Sequence, residues 1–284
     1  MSVMNTLSDL RRIVKGPHIE AGTRDAKIVA ISARKGGVGK TTTTVNLGAA
    51  LSLFQKRKVL LIDMDPQSHV EMSLRHDARG RAPDNLSNVL LQKRRDIFEI
   101  VQPTAIDGLW YVSAGQDLNN TESVMSARIG KELLLRQALR FARTHFDVIL
   151  IDCPPNLGSL TVNALVAAQH VLIPCNLSTL SLDGVDALLE TLSTVQETLN
   201  PDLSLLGLVK TRVDRRNITM NNAIGSALNE RYGSWILNSE IGVSTAIAKA
   251  QHAGRPVFLN NQKSSGSQYY EKLAAEIDAR LFPL

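Results

Sequence analysis

The sequence predicts an α/β protein with a doubly wound, mostly parallel sheet flanked by helices, and three observations lead there. Six short, β-rich apolar runs recur along the chain. Helical patterns fill most of the intervals between them, and a glycine cluster marks the first strand-to-helix junction.

Residues 1–26 are polar and basic, with Arg11, Arg12, Lys15 and Arg24, and read as an N-terminal extension with a short helix around "LSDLRRIV". The alternation then begins. The strands are "KIVAIS" (27–32), "KVLLID" (58–63), "LWYVSA" (109–114), "DVILID" (147–152), "HVLIPC" (170–175) and "LSLLGLVKT" (203–211). Continuous apolar runs of this length suit a parallel sheet covered on both faces. The helices are expected at "TTTTVNLGAALSLFQ" (41–55), "GKELLLRQALRFARTH" (130–145), "DGVDALLETLSTVQETL" (183–199) and "NNAIGSALNERYG" (221–233). Residues 72–104, rich in Arg, Asp and Gln, read as a polar surface excursion. Residues 27–284 are therefore expected to form a single domain.

The 284 residues suffice for a sizeable core, and 44% hydrophobic with 21% charged residues reads as soluble and globular. No apolar run approaches the roughly 20 residues of a membrane span, and the N-terminus lacks the apolar core of a signal peptide. Cys153 and Cys175 form no C-x-x-C pair, which argues against a disulfide framework or a zinc cluster. A cytoplasmic location is expected. The net charge of +5 is a mild pull toward phosphates, nucleic acid or anionic lipid. Aromatic residues make up only 4%, which disfavours single-strand binding by base stacking and makes the backbone the expected target of any nucleic-acid contact.

The stretch "ISARKGGVGKTTTTVN" (31–46) departs from the usual G-x-x-x-x-G-K-[ST] phosphate loop at one place, where Arg34 stands for glycine and Lys35 follows it. Gly36, Gly37 and Gly39 let backbone N–H groups approach an anion, and the helix starting near Lys40 adds its positive end. Lys40 is placed for the β- and γ-phosphates, the Thr41 hydroxyl for Mg²⁺, and Thr42 for the α-phosphate. Without a ligand the stretch would be a glycine-rich turn, but strand, glycines, Gly-Lys-Thr and helix in that order favour a nucleotide. "FDVILIDCPPNLG" (146–158) ends its strand at Asp152, a place for a metal-side carboxylate or simply a loop cap. "LLIDMDPQS" (60–68) offers Asp63 and Asp65, either of which could orient an attacking water or cap the loop. All three elements fall at the carboxyl ends of strands, where such sheets bind ligands.

Together, "KGGVGKTT" (35–42), "VLLIDMDPQ" (59–67), "FDVILIDCPP" (146–155) and a weaker "AGRPVF" (253–258) resemble the ParA family of chromosome- and plasmid-partitioning ATPases, P-loop NTPases with a deviant Walker A motif. The resemblance runs from about residue 27 to 281. It implies ATP and Mg²⁺ as ligands, with the nucleotide held by residues 35–42, Val38 included. It implies that Lys35 reaches across a sandwich homodimer to the other subunit's nucleotide, and that Gly36 stays small at that interface. It selects Asp65 over Asp63 for the hydrolytic water and Asp152 for the metal side. Catalysis then rests on Lys35, Lys40 and Asp65.

The resemblance further implies that the ATP-bound dimer binds double-stranded DNA without sequence preference, placing the protein on the nucleoid. Lys210, Arg212, Arg215 and Arg216 in "VKTRVDRRN" (209–217), with Lys249 further on, are the candidate contacts. Val243 and Ala246 stand where relatives carry arginines, so part of that surface is missing or moved. The implied partner is a ParB-like centromere-binding protein or cargo adaptor that stimulates a weak ATPase, and the cargo is a chromosome, a plasmid or a protein assembly. The rival is a Min-type or flagellar-placement ATPase on the membrane. The tail "YYEKLAAEIDARLFPL" (269–284) alternates acid and base, however, and reads as a last helix packed on the fold, so stable membrane binding is not expected. A nitrogenase iron-protein type of reductase is disfavoured by the placing of the two cysteines.

Overall fold

The computed structural model of the protein describes residues 21–76, 84–92, 95–115, 117–176, 179–214 and 216–283. Most of the N-terminal extension therefore lies outside the described residues. The strands are β1 (Lys27–Ile31), β2 (Val59–Asp63), β3 (Gln102–Pro103), β4 (Leu109–Val112), β5 (Val148–Asp152), β6 (His170–Asn176), β7 (Ser204–Val213) and β8 (Ile236–Gly242). They form one eight-stranded sheet in the order β3-β4-β2-β5-β1-β6-β7-β8, parallel except for β3 against β4.

Both faces of the central strands are buried. Ile28, Ala30, Leu60, Ile62, Ile149 and Ile151 enter the core on one face. Their neighbours Val29, Ile31, Val59, Leu61, Val148 and Leu150 enter the core on the other. Side chains alternate along a strand, so covering both faces requires the unbroken apolar runs seen in the sequence. The helix α1 (Lys40–Gln55) lies over the second face, with Leu47 and Leu51 sharing a core with Leu273 and Ile277 of the long C-terminal helix (Ser265–Leu281). Arg57 adds a two-pronged pair to Asp278 at 2.7 and 3.0 Å. The tail is thus a packed helix, as its charge pattern suggested.

Three features depart from the expectations. The described part of the segment 72–104 is not a polar surface excursion. It carries a short helix (Leu86–Leu91) and a 3-10 turn (Ile97–Ile100), whose Leu86, Val89, Leu90, Ile97 and Ile100 are buried in the core. The helix expected over 130–145 is broken into Leu134–Ala138 and two flanking 3-10 turns. The buried carboxylate of Asp96 accepts from the backbone N–H groups of Phe141 and Ala142 at 2.8 and 3.2 Å, taking donors that a continuing helix would have used. Finally, β8 pairs with β7 alone at the sheet edge and carries Asn238, Ser239 and Glu240, so it lacks the apolar run of an inner strand.

The weaker motif "AGRPVF" is tied to the glycine loop's helix by one side chain. Buried Asn46 donates to the Thr42 carbonyl and accepts from the Val257 N–H, both at 2.8 Å. Asn46→Ala leaves that buried N–H without its partner and is expected to lower unfolding free energy by about 1–3 kcal/mol, read from denaturant melts.

Candidate nucleotide site

Ile31, Asp63 and Asp152 end three adjacent strands in register, Ile31 and Asp63 each opposite Asp152. The loop after β1 therefore rises beside two carboxylates. Gly37 and Gly39 take φ of 73° and 95°, where a Cβ is strained, and Gly39 is also the N-cap of α1. The space a Cβ would occupy at Gly36, Gly37 and Gly39 is empty to 4 Å. The loop is thus shaped around open volume rather than packed against protein.

Lys40 is buried, and its Nζ donates to the Lys35 carbonyl at 3.2 Å. Burial lowers its pKa, against the opposing pull of Asp152. The Thr41 hydroxyl donates to Asp152 Oδ2 at 2.6 Å, and Thr44, one turn along the helix, donates to Oδ1 at 3.1 Å. Burial raises the Asp152 carboxyl to about 7, although these hydroxyls and Lys40 favour its ionised form. Thr44 had no distinct signal within the run of four threonines; its role appears only when helical spacing places it on Asp152.

The two aspartates after β2 divide cleanly. Asp63 is fully buried and accepts from the N–H groups of Asp65 and Val70 at 3.0 and 2.9 Å, framing the turn. Its pKa is pushed well up by burial and by Asp152 beside it. The Asp65 carboxylate accepts from the Gln67 N–H at 3.0 Å, and the residue lines the cavity.

That cavity has a volume of about 710 Å³. Its wall includes Gly36, Gly37, Gly39, Lys40, Thr41 and Thr42 of the loop and helix, together with Arg212, Ser244 and Gln251. Val38 is buried, its carbonyl held by the Thr211 hydroxyl at 2.7 Å. Lys35 is half-buried and is not part of the cavity wall. The structure therefore brings the loop, Asp65 and Asp152 together and leaves the second lysine to one side.

The four candidate DNA contacts among the described residues have different surroundings. Lys210 pairs with Glu240 at 3.3 Å, and Arg216 pairs with Asp214 through two contacts of 2.9 and 2.7 Å. Arg212 turns to the cavity, and Lys249 is exposed on the helix Thr245–His252. Arg215 lies outside the described residues. Val243 is exposed and Ala246 half-buried in the segment where arginines were expected.

A family model described as an AAA domain matches residues 26–205. The chain is 34% identical to the sporulation initiation inhibitor protein Soj of Bacillus subtilis over 253 residues, 89% of this chain and 98% of that protein. It is 36% identical to the chromosome partitioning protein ParA of Caulobacter vibrioides over 256 residues, 89% of this chain and 94% of that one. The chain belongs to the ParA family of partitioning ATPases. A crystal structure of a Mycobacterium smegmatis protein described as cobyrinic acid a,c-diamide synthase, holding an ATP analogue and magnesium, overlays this ParA-family chain with a TM-score of 0.75. It is 36% identical and covers 88% of this chain and 93% of that one.

The oxygen donors of this ParA-family site fit a hard divalent cation. The Thr41 hydroxyl, in the cavity wall, lies 2.6 Å from the buried carboxylate of Asp152. Among the described residues no group of three or more His, Cys, Asp or Glu is arranged to hold a metal by itself. This pair of oxygen donors suits Mg²⁺, which keeps waters and takes phosphate oxygens alongside one or two protein ligands.

Proposed function

We propose that this chain is an ATP-driven dimerising switch, a weak ATPase that binds DNA in its ATP state and is stimulated by a ParB-like centromere-binding protein or cargo adaptor. The observation that carries it is the separation of the two lysines, Lys40 in the cavity wall and Lys35 outside it. A cation beside the cavity is of use to a nucleotide held by another subunit, so closing two subunits on ATP completes charge neutralisation that one cannot supply. ATP then favours the dimer by its differential affinity for that state, and hydrolysis releases it.

Residues 35–42 cradle the triphosphate in this reading, and Thr41 with Asp152 would hold Mg²⁺. The ion would supply charge neutralisation on the β- and γ-phosphates. Lys40 holds the phosphates from within the subunit, and Asp65, at the cavity wall with its carboxylate taking the Gln67 N–H, orients the water. The ATP analogue and magnesium in the Mycobacterium smegmatis relative support this pairing of ligands. The chain acts on the nucleoid to move a chromosome, plasmid or protein cargo. Residues 27–284 act as one ATPase domain, and residues 1–26 form a basic arm touching DNA or the partner. Deleting that arm with no change in either contact would remove it from the account.

No helix of the described residues is long and apolar enough to cross a membrane. Co-sedimentation with plain duplex DNA and with anionic liposomes, each with ATP or ADP, separates the two surfaces. Pelleting with DNA in ATP alone is expected, weakened about a thousandfold between 50 and 200 mM salt if the dimer neutralises roughly six phosphates. Binding that ignores salt, occurs equally in ADP, or prefers liposomes would overturn the reading.

A further inference from the structure

Arg212 stands at the end of β7 with φ of +53°, a left-handed conformation that a non-glycine residue adopts at a cost. That cost has a visible return. The Thr211 hydroxyl donates to the Val38 carbonyl at 2.7 Å, and Arg212 Nη1 donates to the Gly37 carbonyl at 3.2 Å. Consecutive residues of an extended strand point to opposite faces, so two neighbours would not ordinarily reach one loop. The left-handed turn at Arg212 swings its side chain back to the side that Thr211 already faces. Two neighbouring side chains thereby grip two neighbouring carbonyls of the glycine loop.

With both carbonyls engaged by these side chains, the glycine loop is held in place beside the cavity, which Arg212 itself lines. The guanidinium also places a cation at the cavity wall. We infer that Arg212 is a positioning residue of the nucleotide site, holding the glycine loop open for phosphate, and not a DNA contact. The inference rests on the nucleotide reading of the cavity.

Strain gives the test its discrimination. Arg212→Gly removes the side chain and relieves the left-handed backbone, whereas Arg212→Ala removes the side chain and keeps the strain. Calorimetric titration of the full chain with Mg²⁺-ADP should show about tenfold weaker binding for both variants, the loss of roughly one charge-assisted hydrogen bond. The unliganded melting temperature should be unchanged or raised for Arg212→Gly. A residue that merely braced the fold would give the reverse, a lower melting temperature with unaltered ADP affinity. If Arg212→Gly binds ADP like the unaltered chain, or loses DNA co-sedimentation while keeping its ADP affinity, the inference is overturned. If the unaltered chain itself binds neither ADP nor ATP, the nucleotide reading fails first and takes this inference with it.

Discussion

Asp65→Ala is expected to bind ATP, dimerise and hold DNA, yet to lose turnover by about 10²-fold or more, the range typical of a positioned acid–base or water-orienting group. The structure gives this variant little else to lose, because the carboxylate takes the Gln67 N–H within its own turn. Asp63→Ala is the contrasting case. That side chain satisfies two buried N–H groups, those of Asp65 and Val70, so its removal should cost about 1–3 kcal/mol for each donor left without a partner. Loss of turnover in the first variant with a near-normal melt, and a depressed melt in the second, would separate chemistry from framing. Normal single-turnover hydrolysis by Asp65→Ala would move the catalytic assignment elsewhere.

Lys35→Ala carries the second large expectation. One subunit should still hold ATP, because Lys40, Thr41 and the glycine loop are intact. The ATP-dependent dimer should fail to form, and stimulated turnover should fall by about 10³-fold or more, the scale seen when a cation is supplied in trans to a transferring phosphoryl group. Arg34→Gly is the matched control. It restores the glycine of the ordinary loop pattern at an exposed neighbour, and neither assembly nor turnover should change. Loss of ATP binding itself in Lys35→Ala would make this lysine a ligand within its own subunit.

Much of this architecture was legible because the inner strands are buried on both faces, which forces short continuous apolar runs along them. The convergence of the loop, Asp65 and Asp152 followed from placing three motifs at strand ends. What stayed hidden was set at a distance. The break after Ala138 depends on Asp96, more than forty residues away in the chain, and β8 has a single strand neighbour and so no strong pattern. The basic run from 209 to 217 looked like one surface, but the sign of a charge does not give its direction. One left-handed residue sends Arg212 to the loop, while Glu240 and Asp214 engage Lys210 and Arg216. Asp63 and Asp65 likewise stand two apart in a turn, where hydrogen bonding rather than spacing assigns their roles.

Assembly as a function of nucleotide is the central claim, and sedimentation velocity measures it directly. The full chain should sediment as a monomer with ADP or without nucleotide and as a dimer with Mg²⁺-ATP, most clearly in the turnover-deficient Asp65→Ala background. Adding Lys35→Ala should return it to the monomer even in ATP. A sedimentation coefficient that is the same in ATP and ADP, or a dimer that survives the loss of Lys35, would contradict the account.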